Sequence, residues 1–93
     1  MGSDGVAVAG TAVDIVDEFS LPQDVVYVIQ NKSRFDLSIY EGATAPDIGT
    51  AAVQRDRQIL APFRPAEVEY DGSKNIYVWY EIGDGVVSSV RAT

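Results

Sequence analysis

The sequence predicts a small all-β domain, built as an antiparallel β-sandwich or as a partly open barrel. Short runs of β-branched and aromatic residues recur along the chain, turn-forming residues separate them, and helical periodicity is nearly absent. The chain has 93 residues, of which 46% are hydrophobic and 23% are charged. This length and composition are typical of one globular domain rather than of a disordered chain.

Two strands are predicted most clearly, over residues 25–30 and 76–82. The first reads VVYVIQ and the second reads IYVWYEI, and both are apolar on both faces. In the second strand, Ile76 and every second residue after it share one face, while Tyr77 and Trp79 lie on the other. Such a strand is either central, with two covered faces, or turns its second face toward a partner.

Shorter strands are expected between turn-forming residues, at positions 37–40, 57–60, 66–70 and 86–90. The strand at 66–70 alternates, so Val68 and Tyr70 are expected to point inward. We expect consecutive strands to pair as hairpins across the turns at residues 31–34, 71–75 and 83–85. Residues 41–54 contain glycine and proline without periodicity, and we expect them to form a long loop that carries contacts.

The first ten residues, 1–10, are expected to form a flexible N-terminal arm, and residues 11–93 a single β domain. The arm contains three glycines and few side chains that could anchor it in a core. Because Val6 and Val8 alternate with alanine, the arm could add as a strand to an available sheet edge.

Residues 11–19 place Val13 and Ile15 on one parity, as in a strand, although a short helix also fits the pattern. Addition of residues 6–16 to the sheet edge of a neighbouring copy would use both alternations. On this hypothesis, deletion of residues 1–16 weakens assembly and leaves the fold of the single chain intact.

The composition excludes several kinds of site. The chain contains no Cys and no His, which rules out disulfides, thiolate nucleophiles, zinc fingers and imidazole-based catalysis. Its net charge of −7, from 14 acidic and 7 basic residues, repels phosphate backbones, so no nucleic-acid partner is expected. No apolar run approaches the roughly 20 residues of a membrane-spanning helix, so no membrane association is expected either.

Neither a cofactor nor an enzyme activity is expected. Carboxylates cluster at Asp14, Asp17 and Glu18, and oxygen ligands of this kind can hold Ca²⁺, but the spacing of an EF-hand loop is missing. A chain of this size also leaves little room for a cleft with paired catalytic carboxylates.

Tyr77 and Trp79 are two residues apart, which places both rings on one face of a strand. Such pairs usually belong to a core or to a protein interface. A flat, exposed pair could instead stack on sugar rings, as in carbohydrate-binding modules. The sequence leaves these interpretations open.

Arg55, Arg57 and Arg64 are three of the seven basic residues, and Asp56 lies among them. On a solvated surface these charges pair locally and contribute little to stability. In an interface they would receive carboxylates from a neighbouring subunit, such as those of the acidic N-terminal segment.

Three stretches of the chain resemble the small β-rich virion proteins of tailed bacteriophages, such as head-decoration (cement) proteins and tail or fibre accessory domains. They are VYVIQNKS at residues 26–33, IYEGATAP at 39–46 and NIYVWYEIGDGVVSSV at 75–90. The resemblance lies in the order of strands and turns over residues 25–90. It implies symmetric assembly, commonly trimeric, with N-terminal arms that reach neighbouring subunits. Because the arm here is acidic, we expect it to contact protein rather than packaged DNA.

We therefore expect a non-enzymatic structural subunit of a viral particle, of the phage capsid decoration or stabilising type, located in the virion. Its expected partners are further copies of itself, as a trimer, and a major capsid or other virion protein. The expected interface residues are Val6, Val8, Val13, Ile15, Arg55, Arg57, Arg64, Tyr77 and Trp79. The alternative is a carbohydrate-binding module that uses the aromatic face. An acidic inhibitor that mimics nucleic acid fits the net charge but fits the apolar strands less well.

Overall fold

Eight strands and two short helices make up the part of the chain that this computed structural model describes, residues 2–7, 10–83 and 85–91. In chain order the strands are β1 (Gly2–Ala7), β2 (Val13–Asp14), β3 (Val25–Asn31), β4 (Leu37–Gly42), β5 (Gln58–Leu60), β6 (Pro65–Tyr70), β7 (Asn75–Tyr80) and β8 (Gly85–Arg91). The helices are α1 (Ile15–Phe19) and α2 (Ala51–Asp56).

The strands form two four-stranded antiparallel sheets that pack against each other, so the predicted β-sandwich is confirmed. The strand order is β1-β8-β3-β6 in the first sheet, sheet I, and β2-β7-β4-β5 in the second, sheet II. Among the described residues, no strand pairing joins the two sheets into a barrel. Every strand predicted after residue 24 is present. These strands could be predicted because alternation and β-branched content are local properties of the sequence.

The prediction of three hairpins is wrong. Each of the turns at residues 31–34, 71–75 and 83–85 carries the chain from one sheet to the other. β3 pairs with β6 and β8 in sheet I, whereas β4 lies between β5 and β7 in sheet II. The connections from β6 to β7 and from β7 to β8 also cross between the sheets. Glycine, asparagine and aspartate are the common residues of any tight turn, so their presence does not say which strands will pair.

The inward-facing side chains of both sheets form one core. Ile29 on β3 and Val87 on β8 belong to the same buried cluster as Leu37, Ile76 and Tyr80 of sheet II, and each is at most 1% exposed. Complete burial of one large apolar side chain contributes about 1.5–3 kcal/mol. The sandwich is therefore held together mainly by this contact between its sheets.

The alternation predicted for β6 is confirmed. Val68 and Tyr70 are buried, and Glu67 and Glu69 are exposed. The two carboxylates lie on the outer face of sheet I, at an edge strand, where charged side chains disfavour pairing with another chain.

The outer faces of the two sheets differ. On sheet II, Trp79 lies in a small second cluster with Val53 of α2, so the helix covers this face. On sheet I, Val26 of β3 remains 38% exposed. The apolar character of β7 on both faces thus reflects two covered faces in one chain.

Part of the loop predicted at residues 41–54 is helical. The Thr50 hydroxyl accepts a hydrogen bond from the Val53 N–H at 3.4 Å and so caps α2. Val53 is the one buried residue of this helix. A helix of six residues is marginal alone, so packing on sheet II rather than sequence periodicity determines it.

Residues 2–7, expected within a flexible arm, form β1 instead. β1 pairs with β8 from Gly2 opposite Val90 to Ala7 opposite Gly85. The prediction of a flexible arm is therefore wrong for these residues. The edge of β8 in the same chain supplies the backbone partners, which small side chains alone do not reveal.

The strand predicted over residues 11–19 ends at Asp14, and the short helix that also fitted the pattern follows it as α1. The Asp14 carboxylate accepts from the Val16 N–H at 3.1 Å and caps the helix. Ile15, the first helical residue, is 1% exposed and belongs to the main core.

Candidate interaction surface

Tyr77 and Trp79 share the outer face of sheet II, as predicted, but both are buried. Tyr77 is 6% exposed and Trp79 is fully buried, and both pack with Val53. A sugar-binding platform needs exposed rings, so of the interpretations that the sequence left open the rings fit a core and do not fit a sugar platform. In this fold the two residues serve as the core beneath α2.

Glu81, just after β7, connects this cluster to the segment around α2. Its Oε1 atom accepts hydrogen bonds from the Trp79 indole at 3.2 Å, from the Gln54 amide at 3.2 Å and from the Arg57 guanidinium. Arg57 also donates to the Ser38 hydroxyl at 2.9 Å. Burial alone would raise the pKa of the Glu81 carboxyl, but the hydrogen bonds from Trp79 and Gln54 and the charge of Arg57 outweigh it and lower that pKa.

The three predicted arginines have different surroundings. The Arg57 side chain is 15% exposed and pairs with Glu81, so its charge is already engaged within the chain. The Arg55 side chain is 74% exposed, and its Nε lies 3.6 Å from the Asp56 carboxylate, as expected for a solvated pair. Arg64 is exposed on the turn after β5, which leaves it accessible to a partner.

The apolar residues predicted to reach a neighbouring sheet are mostly used within the chain. Ile15 lies in the core, Val13 belongs to β2 beside β7, and Val6 belongs to β1 beside β8. Val8 lies outside the described residues. The described part of residues 6–16 is therefore not a free arm, because β1 and β2 each pair on one side with a strand of the same chain and lie at the sheet edges.

We call one end of the sandwich, together with Ile59 of β5 beside it, the apolar end. It contains three connections, residues 32–36, 61–64 and 81–83. They follow β3, β5 and β7, whose final residues lie at the same end of the antiparallel sheets. Interaction sites are common on such connections, since a rigid sandwich holds them in place.

A buried asparagine fixes the apolar end. The side-chain amide of Asn31 donates to the carbonyls of Phe35 at 2.7 Å, Leu60 at 3.1 Å and Ala61 at 3.3 Å. The Tyr80 hydroxyl donates to Asn31 Oδ1 at 2.7 Å. Through these bonds, Asn31 ties the connections after β3 and β5 to the end of β7.

The apolar end carries the largest exposed hydrophobic side chains of the described residues. Ile59 is 53% exposed, Phe63 is 71% exposed and Ile82 is 73% exposed. Ile82 was expected on the same face of the 76–82 strand as Ile76, but β7 ends at Tyr80, and the Ile82 side chain is exposed to solvent. Exposed apolar groups gathered in one region mark contact sites in soluble proteins.

Phe63 is exposed in an unfavourable backbone conformation. Its φ of 58° lies in the left-handed region. It follows Pro62 in a turn that the Arg64 N–H closes by donating to the Ala61 carbonyl at 3.2 Å. Glycine is favoured at this position of such a turn, and a residue with a Cβ costs about 1 kcal/mol there. Phe63 therefore adds little to the fold, and its exposure suits a contact with another molecule.

A cleft of about 340 Å³ opens at the same end. Phe35, Ile59 and Ile82 give it apolar walls. Its charged groups are the guanidiniums of Arg34 and Arg57 and the carboxylates of Asp36 and Glu81. The Arg34 guanidinium lies 5.3 Å from the centre of the Phe35 ring, so it covers part of that ring. Apolar walls with charged groups around them suit a protein surface that offers both hydrophobic and charged side chains.

The sequence analysis missed Ile59, Phe63 and Ile82. Ile59 was assigned to a short strand, and Ile82 to one face of a longer strand. A usable signal was present at two of these positions, since Phe63 lies directly after Pro62 and Ile82 directly before Gly83. A large apolar residue inside a turn motif has little chance of reaching the core.

The described residues contain no group of three or more acidic side chains placed to hold a metal ion. Within the same residues, no helix has the length and apolar character needed to cross a membrane.

Comparisons of the chain with protein-family models, with curated proteins and with solved structures give no match.

Proposed function

We propose that the protein is a non-enzymatic structural subunit of a viral particle, of the type that decorates or stabilises a phage capsid. It associates with further copies of itself and with a shell protein. The observation that carries this proposal is the apolar end, where Ile59, Phe63 and Ile82 are more than half exposed.

Association explains why these side chains are exposed. Removing apolar surface from water contributes about 25 cal/mol per Å², and this gain is available at the apolar end only if another molecule covers it. A domain of 93 residues without disulfides also has a modest core. Binding to a partner in the folded state would add to its stability by mass action.

The sequence resemblance to phage virion proteins supports the kind of particle. It rests on the order of strands and turns over residues 25–90, and the sandwich has strands at these positions. The proposed partners remain further copies of the chain and a major capsid or other virion protein.

The test is to purify viral particles from the source of the chain and to quantify the chain by mass spectrometry against the major shell protein. We expect a fixed ratio that survives repeated washing. Particles without the chain should recover it from solution, and the variant F63S/I82S should bind them at least ten-fold more weakly than V26S. Particles that never contain or bind the chain would contradict the proposal.

A further inference from the structure

We infer that the apolar end of one copy docks on the opposite end of a second copy, so that the chains associate head to tail. This inference rests on the proposed self-association and deepens it, because it names the two surfaces that meet. The opposite end, which we call the acidic end, consists of α1, the connection 20–24 and the connection 71–74.

The apolar end and the acidic end lie on opposite sides of the sandwich, along the direction of its strands. β3 runs from connection 20–24 to connection 32–36, and β6 runs from connection 61–64 to connection 71–74. Because the strands pair side by side in register, each end is a continuous region of the sandwich. One molecule can therefore use both ends at once.

The apolar end holds much of the positive charge of an acidic protein. Arg34 and Arg64 are exposed there, and Arg34 lies over the Phe35 ring beside the cleft. Two acidic side chains are described at this end: Glu81 is already paired with Arg57, and Asp36 is exposed beside the cleft. The guanidinium groups are thus placed to receive carboxylates from outside.

The acidic end offers those carboxylates. Asp17 and Glu18 of α1 are exposed, and so are Asp24 and Asp71 in the neighbouring connections. Lys74 is the one basic residue of this end, so acidic side chains outnumber it. Hydrogen bonds from the Ser73 hydroxyl and N–H hold the pKa of the Asp71 carboxyl below its usual value, which keeps it charged.

The acidic end also offers apolar surface. Phe19 and Leu21 pack against the main core but remain partly exposed. Phe63 and Ile82 of one copy would cover this surface, while Arg34 and Arg64 would meet the carboxylates around it. The contact thus joins an apolar and basic surface to an apolar and acidic one.

A contact between two different ends is heterologous, so each copy still has one free end after pairing. Such contacts continue into rings or filaments unless an end is blocked. A contact between two identical ends would instead stop at a dimer. This difference makes the inference testable with variants that block one end only.

The experiment measures mass by light scattering over a dilution series in low salt, with the wild-type chain and two blocked variants. F63G/I82S blocks the apolar end, and F63G suits the left-handed turn position, so the variant should fold. D17K/E18K blocks the acidic end. We expect the mass of the wild-type particles to increase with concentration. Each blocked variant alone should have the mass of one chain, and an equimolar mixture of the two variants should reach the mass of two chains and no more.

Two control variants match these changes at other positions. E67K/E69K makes the same change in net charge on the outer face of sheet I, and V26S removes a partly exposed apolar side chain from that face. Both should associate like the wild type, and circular dichroism should show that every variant is folded. Because the contact is partly ionic, 1 M salt should weaken it at least several-fold.

Several results would overturn the inference. The wild type could stay monomeric up to millimolar concentration. D17K/E18K alone could associate to the same extent as the wild type, or either control variant could be monomeric. Failure here is distinguishable from failure of the proposed function. A chain that is monomeric in solution but occurs in particles at a fixed ratio would retain its role as a shell-bound subunit and exclude the head-to-tail contact.

Discussion

Asn31 is the residue on which the geometry of the apolar end depends. It is 1% exposed, its amide donates to three carbonyls, and its Oδ1 accepts from the Tyr80 hydroxyl and from the Ser33 N–H. A buried polar side chain with all of its hydrogen bonds made specifies one arrangement of the loops around it, because any other arrangement leaves polar atoms unpaired.

Substitution of Tyr80 by phenylalanine should destabilise the fold by about 1–2 kcal/mol, since it leaves Asn31 Oδ1 with one fewer donor at a buried site. Urea unfolding at pH 7, followed by Trp79 fluorescence, measures this change. Tyr70→Phe is a matched control on β6 and should cost less. Burial raises the pKa of the Tyr80 hydroxyl in the folded protein. Its neutral form therefore stabilises the wild type fully below the unfolded pKa of about 10. This stabilisation is lost as the pH rises through the higher pKa of the folded state. An equal stability of Y80F and the wild type would contradict the role of this hydrogen bond.

Substitution of Glu81 by glutamine should destabilise the protein at pH 7 by about 1 kcal/mol. The value is kept small because the carboxylate is 43% exposed and partly screened by water. The pKa of this carboxyl is lowered in the folded state, so its stabilisation is present above the unfolded value near 4.3 and is lost as the pH falls through the folded value. The difference between the two proteins should therefore shrink below about pH 4 in thermal unfolding experiments. Glu67→Gln, which changes an exposed carboxylate on β6, should cost less at pH 7.

At the scale of elements, α2 decides what the outer face of sheet II can do. The helix lies in a segment that resembles a loop in sequence, yet Val53 covers the ring of Trp79 and Gln54 donates to Glu81. An aromatic pair on a strand therefore became a second small core rather than a binding surface. The positions of the strands were predictable because alternation is local, whereas the cover over Tyr77 and Trp79 depends on residues about 25 positions away.

Substitution of Val53 by alanine should test this cover. We expect the free energy of unfolding to fall by about 1–2 kcal/mol, because the substitution removes two methyl groups from a contact that is almost fully buried. The protein has a single tryptophan, so its fluorescence reports directly on this site. The emission of V53A should shift to longer wavelength, and iodide should quench it more strongly than in the wild type. The exposed neighbour Ala52, changed to serine, should leave both signals unchanged. An unshifted V53A spectrum would mean that the helix does not exclude water from Trp79.

At the scale of the whole molecule, the N-terminal segment belongs to the sandwich. β1 extends sheet I beside β8, β2 extends sheet II beside β7, and Ile15 lies in the core. The molecule measures 32 × 27 × 18 Å along its principal axes. A domain of this size has few core residues to spare, so loss of one end of the chain affects the whole fold.

Deletion of residues 1–16 should therefore unfold most of the protein at 25 °C, in contrast to the intact fold expected from the sequence. Loss of Ile15 alone should cost about 2–5 kcal/mol, by analogy with other buried isoleucines replaced by alanine. Deletion of residues 1–7 removes only β1 and exposes the edge of β8, so we expect a folded chain that aggregates more readily. Circular dichroism with thermal unfolding measures the first effect, and light scattering measures the second. A 1–16 deletion with the wild-type Tm would contradict the place of Ile15 in the core.

The sequence by itself determined where most strands lie and which of their residues face inward, as for Val68 and Tyr70 on β6. It also determined the acidic charge and the absence of Cys and His, and with them the kinds of chemistry that are excluded. These are properties of composition and of a two-residue period, and both can be read along the chain. The tertiary structure decided which strands pair, that the turns cross between sheets, and that Trp79 is covered while Phe63 and Ile82 are not. Pairing and cover depend on contacts between residues distant in sequence, and only the packing of the whole chain selects among them.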